Sequence, residues 1–162
     1  MRRAWKLSLS GSFLLAGMSL EFVMSEIQRI DFVKLKRPRS PNTFLMAPDG
    51  LCKDARTDVV SPVYHSSAAK LRQELLRVII AQPRVSHSFK DDVDLYDDFV
   101  IRSFLFSFPD LIAVQFLGQK GGKSTLAIYS RSVYGRSDMG VNRARAMGWI
   151  KALGKSIEPI SA

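Results

Sequence analysis

The sequence predicts an α+β fold: an antiparallel sheet of about four strands with two main helices packed on one face, preceded by an N-terminal helical segment. Three features carry the prediction. Residues Ser66–Gln82 repeat apolar side chains at helical spacing and stop at Pro83. From about Arg84 to Ser130 the repeat shortens to two and short turns divide the run, which describes consecutive strands in a meander. Beyond Gly135 the helical period returns and holds through Val141–Leu153. At 162 residues, with 46% apolar and 24% charged side chains, the chain is globular and sized for one domain with a short appendage. The divisions read as a signal-like or membrane-anchor segment over 1–30, a basic proline-containing linker over 31–43, a single α+β domain over 44–155 and a tail over 156–162.

Arg2, Arg3 and Lys6 precede a softer apolar run, Leu7–Leu20, the order of charge and apolarity that export machinery reads. Serines and glycines dilute the run, and Glu21 ends it short of the ~20 apolar residues of a spanning helix. Leu20, Val23, Met24, Ile27 and Ile30 then fall at helical spacing, so the alternatives are a helix lying flat at an interface or one packed on its own domain. Met18 or Met24 is an alternative start. In 31–43, Pro38 and Pro41 forbid regular helix, and Lys34, Lys36, Arg37 and Arg39 keep the segment solvated, as a plain connector or beside anionic headgroups. Thr43–Val63 reads as mostly irregular, turning at Pro48-Asp-Gly50 and at Pro62.

In the first helix Leu71, Leu75, Val78 and Ile79 form the apolar face, and Ser66 or Ser67 caps the start. His65, just before it, reads as a local hydrogen-bonder. A modest strand follows at Arg84–Phe89. Asp91–Asp98 holds five carboxylates and reads as a solvated turn, because the glycine and terminal glutamate of a calcium loop are missing. Phe99–Phe108, Leu111–Leu117 and Thr125–Ser130 are the main strands, joined at Pro109-Asp110 and by the hairpin Gly118–Gly122. Gly122-Lys-Ser-Thr125 does not make a phosphate loop: Leu117 stands where the first glycine belongs, and a strand follows instead of a helix. In the last helix Val141, Ala144, Met147, Ile150 and Leu153 share the inner side, and Gly154 closes it.

The net charge of +9 is unevenly divided. Residues 1–40 carry eight Lys/Arg against three acids, 119–162 carry eight against two, and the middle carries eight against ten. Polyanions are therefore conceivable partners. No nucleic-acid motif or basic patch interleaved with aromatics is present, and nucleic acid is not expected as a partner. Cys52, the single cysteine, excludes an internal disulfide, and no Cys/His cluster has metal-ligand spacing, so neither metal nor cofactor is expected.

Polar chemistry concentrates in Tyr129–Arg145, where a strand ends, the chain bends at Gly135 and the last helix begins near Asp138. A helix N-terminus offers free N–H groups and partial positive charge, and several arginines and hydroxyls lie nearby in sequence. The candidate ligand-binding residues are Ser130, Arg131, Ser132, Arg136, Ser137, Asp138, Asn142 and Arg143, with Gly135 and Asp110 as structural turn residues. The alternative is purely structural, with Ser137 or Asp138 capping the helix and the serines tying down the turn. No catalytic residue is assigned. A serine nucleophile needs a base, and His65 and His87 lie far away in sequence.

These residues resemble the C-terminal signature of a bacterial family, domain of unknown function 1499. The matching stretch is Tyr129-Ser-Arg-Ser-Val-Tyr-Gly-Arg-Ser-Asp-Met-Gly-Val-Asn-Arg-Ala-Arg145. The family's Phe-x-Asp element matches Phe108-Pro-Asp110, and its Arg-Pro-Ser-Pro-Asn element matches Arg37-Pro-Arg-Ser-Pro-Asn42 with one residue inserted. Val133-Tyr134 departs from the pattern, where a second Ser-Arg pair is usual. The resemblance covers about Asp31 to Leu153. It implies a small α+β domain, often behind a membrane segment or signal, and implies no activity.

The expectation is thus a membrane-associated or exported accessory or binding module that holds an anionic group at the 130–143 turn. An anionic lipid headgroup or an envelope protein would be its partner, in a membrane-associated or periplasmic setting; a cytoplasmic one is the alternative. The competing functions are a hydrolase-like enzyme using the same Ser/Arg/Asp turn, with Asp110 or Asp138, and a purely structural envelope protein.

Overall fold

The computed structural model describes residues 29–103 and 108–160. The expected signal or anchor over 1–30 therefore lies outside the described residues except for its end, as do Phe104–Ser107 of the expected Phe99–Phe108 strand and the last two residues of the tail.

Among the described residues six strands form one sheet: β1 (Thr43–Ala47), β2 (Val59–Val60), β3 (Val85–Asp91), β4 (Tyr96–Arg102), β5 (Pro109–Gln119) and β6 (Lys123–Ser132). Their order is β2-β1-β6-β5-β4-β3. β1 and β2 run parallel and every other pair is antiparallel, so the sheet is mixed and larger than the four-stranded antiparallel one expected. The meander β3–β6 is the expected part, except that Pro109 and Asp110, read as a turn, open β5, where Asp110 is paired with Ile101 and Ser132. β1 and β2 come from the stretch read as irregular. Phe44 and Met46 face one core while Leu45 and Ala47 face the other, so β1 is buried on both sides and lacks the polar alternation that marks a strand.

Both helices, α1 (Ala68–Ile80) and α2 (Val141–Leu153), cover the same face of the sheet. Ser67 caps α1, its hydroxyl accepting from the Lys70 N–H at 3.2 Å, and Leu71, Leu75 and Ile79 are fully buried. The inner face of α2 is not the expected one. Asn142, Ala146, Trp149 and Leu153 are buried, whereas Val141, Ala144 and Met147 are exposed. The buried four follow i, i+4, i+7, i+11, but a polar side chain leads the stripe, and a search for apolar residues alone settles one position off.

The acidic run is also corrected. Only its middle turns; Asp97 and Asp98 belong to β4 and are buried. Asp97 accepts from Arg72 Nε and Nη2 of α1 at 2.7 and 2.9 Å and lies 2.8 Å from His87 Nε2 of β3. Arg72 Nη1 reaches Asp92 at 2.8 Å. A bidentate guanidinium meets the buried Asp97 carboxylate there, and the pair locks α1 to the sheet.

The second face is closed by chain without regular structure. Phe32 and Leu35 are buried there with Leu45, Ala47, Tyr96, Ala113, Ala127 and Tyr129. The segment 31–43, expected as a solvated linker, is in this respect part of the domain, since its apolar side chains alternate with the charges that suggested solvation. Arg37 fastens it, donating to the Arg56 carbonyl at 2.8 Å and the Thr43 carbonyl at 3.1 Å and pairing with Asp58 at 2.8 Å. Phe32→Ala should cost about 3 kcal/mol in urea unfolding, the range for truncating a buried aromatic ring. A loss below about 0.5 kcal/mol would return the segment to the status of a linker.

Candidate functional site

Strand alternation divides the polar stretch at the end of β6. Successive side chains point to opposite faces, so Ser130 turns toward α2 while Tyr129 and Arg131 turn toward the second face. One continuous motif in sequence becomes two environments in space.

On the helix side a buried network centres on Asn142, which has no exposed surface. Its Oδ1 accepts from Ser130 Oγ at 2.5 Å and from Arg145 Nη1 at 2.8 Å. Its Nδ2 donates to the Asn42 carbonyl and to Ser132 Oγ, each at 3.1 Å. Arg145 Nη2 pairs with the buried Asp110 at 2.5 Å. Asn42 in turn donates to the carbonyls of Ser132 and Gly135 at 3.1 and 2.9 Å. Asp138 is spent locally, its carboxylate accepting from the backbone N–H groups of Gly140 and Asn142 at 3.0 and 2.8 Å. That acid satisfies the start of α2 from within the chain and fills the place an external anion would take. Ser137 Oγ accepts from the Met139 N–H at 3.2 Å, and Gly135, Met139 and Gly140 supply the positive φ angles of the turn.

The candidate residues therefore part company. Ser130, Ser132 and Asn142, joined by Asp110 and Arg145, form the interior network. Ser137 and Asp138 shape the turn. Arg136 and Arg143 stand exposed, the latter with its guanidinium 5.6 Å from the centre of the Phe44 ring. The hydrolase alternative loses its geometric support. Ser130 is 1% exposed and its hydroxyl is engaged by Asn142 and Arg145, while Asp110 and Asp138 are held by partners of their own.

On the second face, a cleft of about 240 Å³ opens between the 35–43 segment and the end of β6. Lys36, Ser40, Thr43, Tyr129, Arg131 and Ser132 line it. A narrower recess next to it is lined by Asp98 and shares Ile30, Tyr129 and Arg131. Tyr96 donates its hydroxyl to Asp98 Oδ1 at 2.6 Å and accepts from the Ile30 N–H at 2.9 Å. Burial pushes the Asp98 carboxyl up to about 6, against the opposing pull of the Tyr96 hydroxyl and the Arg131 charge. Burial likewise raises Tyr129, opposed by Arg131 and Arg37.

Sequence reasoning missed Arg145, Asn42 and Lys36. Arg145 closes the matched signature in the same Asn-x-x-Arg spacing, and one helical turn of separation from Asn142 was the signal that the two share a face. Asn42 closed the matched Arg37–Asn42 element, but its partners Ser132 and Gly135 lie far along the chain, as does Arg131, which Lys36 meets at the cleft.

A mixed sheet with helices on one face, a polar knot under that layer and a basic cleft on the other face define a small two-sided α+β domain. The chain belongs to the family described as protein of unknown function (DUF1499), whose model matches residues 35–153. No curated protein matches the chain. Among the described residues no helix is long and apolar enough to cross a membrane.

The raised Asp98 carboxyl makes stability depend on pH with a defined sign. The folded chain holds this proton more tightly than the unfolded chain, so stability is fullest near pH ~4 and falls as pH rises through ~6. Asp98→Asn keeps an oxygen to accept from Tyr96 and removes the buried charge. Relative to wild type, the variant should gain on the order of 2 kcal/mol between about pH 4 and about pH 8, read from urea unfolding at both. A gap that does not change with pH would contradict the raised carboxyl.

Proposed function

We propose that this protein is an accessory binding module, exported or membrane-associated, that holds the anionic group of a ligand in the cleft between the 35–43 segment and the end of β6. One observation carries the reading: Lys36 and Arg131 share an open cavity of about 240 Å³ with the hydroxyl-bearing Ser40, Thr43 and Ser132. Two cations around one opening suit a phosphate or carboxylate, with guanidinium and ammonium supplying charge. Asp98 lies beside Arg131 and opposes anion binding in its ionised form, so its protonation favours the ligand.

The exported or membrane-associated setting rests on the charge and apolarity of residues 1–30, and an anionic lipid headgroup or an envelope protein remains the partner class that suits it. Compared with the expectation from sequence, the binding role moves from the whole 130–143 turn to Arg131 with Lys36. The purely structural reading accounts for the Asn142 network but leaves the cleft without a purpose.

Titrating inorganic phosphate into isotope-labelled protein should shift the backbone amides of 36–43 and 131–133, and Arg131→Gln should weaken the apparent affinity about tenfold. Shifts centred on Arg136 and Arg143, or an affinity that Arg131→Gln leaves unchanged, would remove the cleft as the anion site.

A further inference from the structure

The cleft between the 35–43 segment and the end of β6 is larger than a bare phosphate or carboxylate requires. Its volume of about 240 Å³ compares with the ~10–15 Å³ that admits a single water, so a small inorganic anion would leave most of it to solvent. The polar side chains of its wall are already committed inside the domain. Ser40 Oγ donates to Asn42 Oδ1 at 2.6 Å, Thr43 Oγ1 accepts from Arg37 Nη2 at 3.0 Å, and Ser132 Oγ accepts from Asn142 Nδ2 at 3.1 Å. Asn42 donates to the carbonyls of Ser132 and Gly135. A polyhydroxyl body such as a sugar would give up its water there and find few partners in exchange, which costs free energy. The other lining side chains are apolar: Ile30, Leu35, Pro38 and Val133, with the Tyr129 ring. The neighbouring recess, which shares Ile30, Tyr129 and Arg131, has room for about 10 Å³, a single water at most, and does not lengthen the cleft.

From this arrangement we infer that the ligand is an amphiphilic anion, a phosphate or carboxylate carrying a compact apolar group. Its charge lies toward Lys36 and Arg131 and its apolar body against Ile30, Leu35 and Val133. The inference rests on the cleft as the anion site and adds the class of molecule that the site takes. Cations fix one end of the ligand, and apolar surface removed from water at the other end contributes affinity that charge alone does not. The same chemistry is found in alkyl and in aryl esters of phosphate.

The test compares inorganic phosphate, glycerol phosphate, phenyl phosphate and butyl phosphate on the full isotope-labelled chain. Glycerol phosphate is the control, an ester of like charge with a polar body. Phenyl phosphate should bind roughly tenfold more tightly than glycerol phosphate, and its ring should move the methyl signals of Ile30, Leu35 and Val133 upfield. Val133→Ser should cut that advantage by roughly threefold and leave glycerol phosphate binding unchanged, whereas Arg131→Gln should weaken both esters by the same factor. A larger gain with butyl than with phenyl phosphate assigns the apolar body to an alkyl chain, the reverse assigns it to a ring, and both uphold the amphiphile. Equal affinities for all the esters, with the amides of 36–43 and 131–133 still shifting, would overturn the apolar body and leave the cleft standing as an anion site. Tighter binding of glycerol phosphate, ring-induced shifts at other methyls, or an advantage that Val133→Ser leaves whole would overturn it as well. If none of the phosphates moves those amides, the cleft reading and this inference fall together.

Discussion

A single side-chain amide holds the C-terminal half of this fold in register. Asn142 is sealed beneath α2, and each of its polar atoms is used twice, by Ser130 and Arg145 on one side and by Ser132 and the Asn42 carbonyl on the other. Those partners belong to β6, to α2 itself and to the residue that leads into β1. Arg145 extends the connection to Asp110 in β5. A buried amide is tolerable only with its partners in place, so the register of strands, the start of the helix and the bend at Gly135 stand or fall together. The motif that looked like a binding loop is largely the device that sets this corner.

The period of the strand then decides what is left over for function. Asp97 and Asp98 are neighbours in β4 and point to opposite faces, where they meet opposite treatment. Asp97 receives a guanidinium and an imidazole and ties the helix layer to the sheet. Asp98 receives only a phenol hydroxyl and a more distant arginine, which do not offset its burial, and its proton is held more tightly. Ser130 and Arg131 divide in the same way, one into the interior and one into the cleft. The helix-covered face is thus closed by charge pairing and apolar packing. The second face, covered only by irregular chain, has space for a ligand.

Much of the architecture was legible from local pattern. The meander β3–β6, the extent of α1, the Ser67 cap and the bounds of α2 all follow from periodicity and punctuation that neighbouring residues carry themselves. What escaped depended on distant partners. Asn142 reads as a surface residue until Asn42 and Ser130 are beside it, and without it the buried face of α2 is misplaced. Phe32 and Leu35 read as part of a solvated connector because lysines and arginines flank them, and only the uncovered face of the sheet gives them a destination. The cleft was half legible: Arg131 and Ser132 stood in the motif, while Lys36 lay in a segment whose return to the end of β6 has no local sign.

Hydrogen exchange of the Asn142 side-chain amide tests the corner most directly, because that group carries the claim that the signature is structural. The structure predicts that its two protons exchange only through global unfolding, alongside core amides such as that of Ile128. Exchange at the rate of a solvent-exposed primary amide, with the core amides still protected, would mean that the corner opens on its own and that its polar groups are offered to solvent rather than holding the fold.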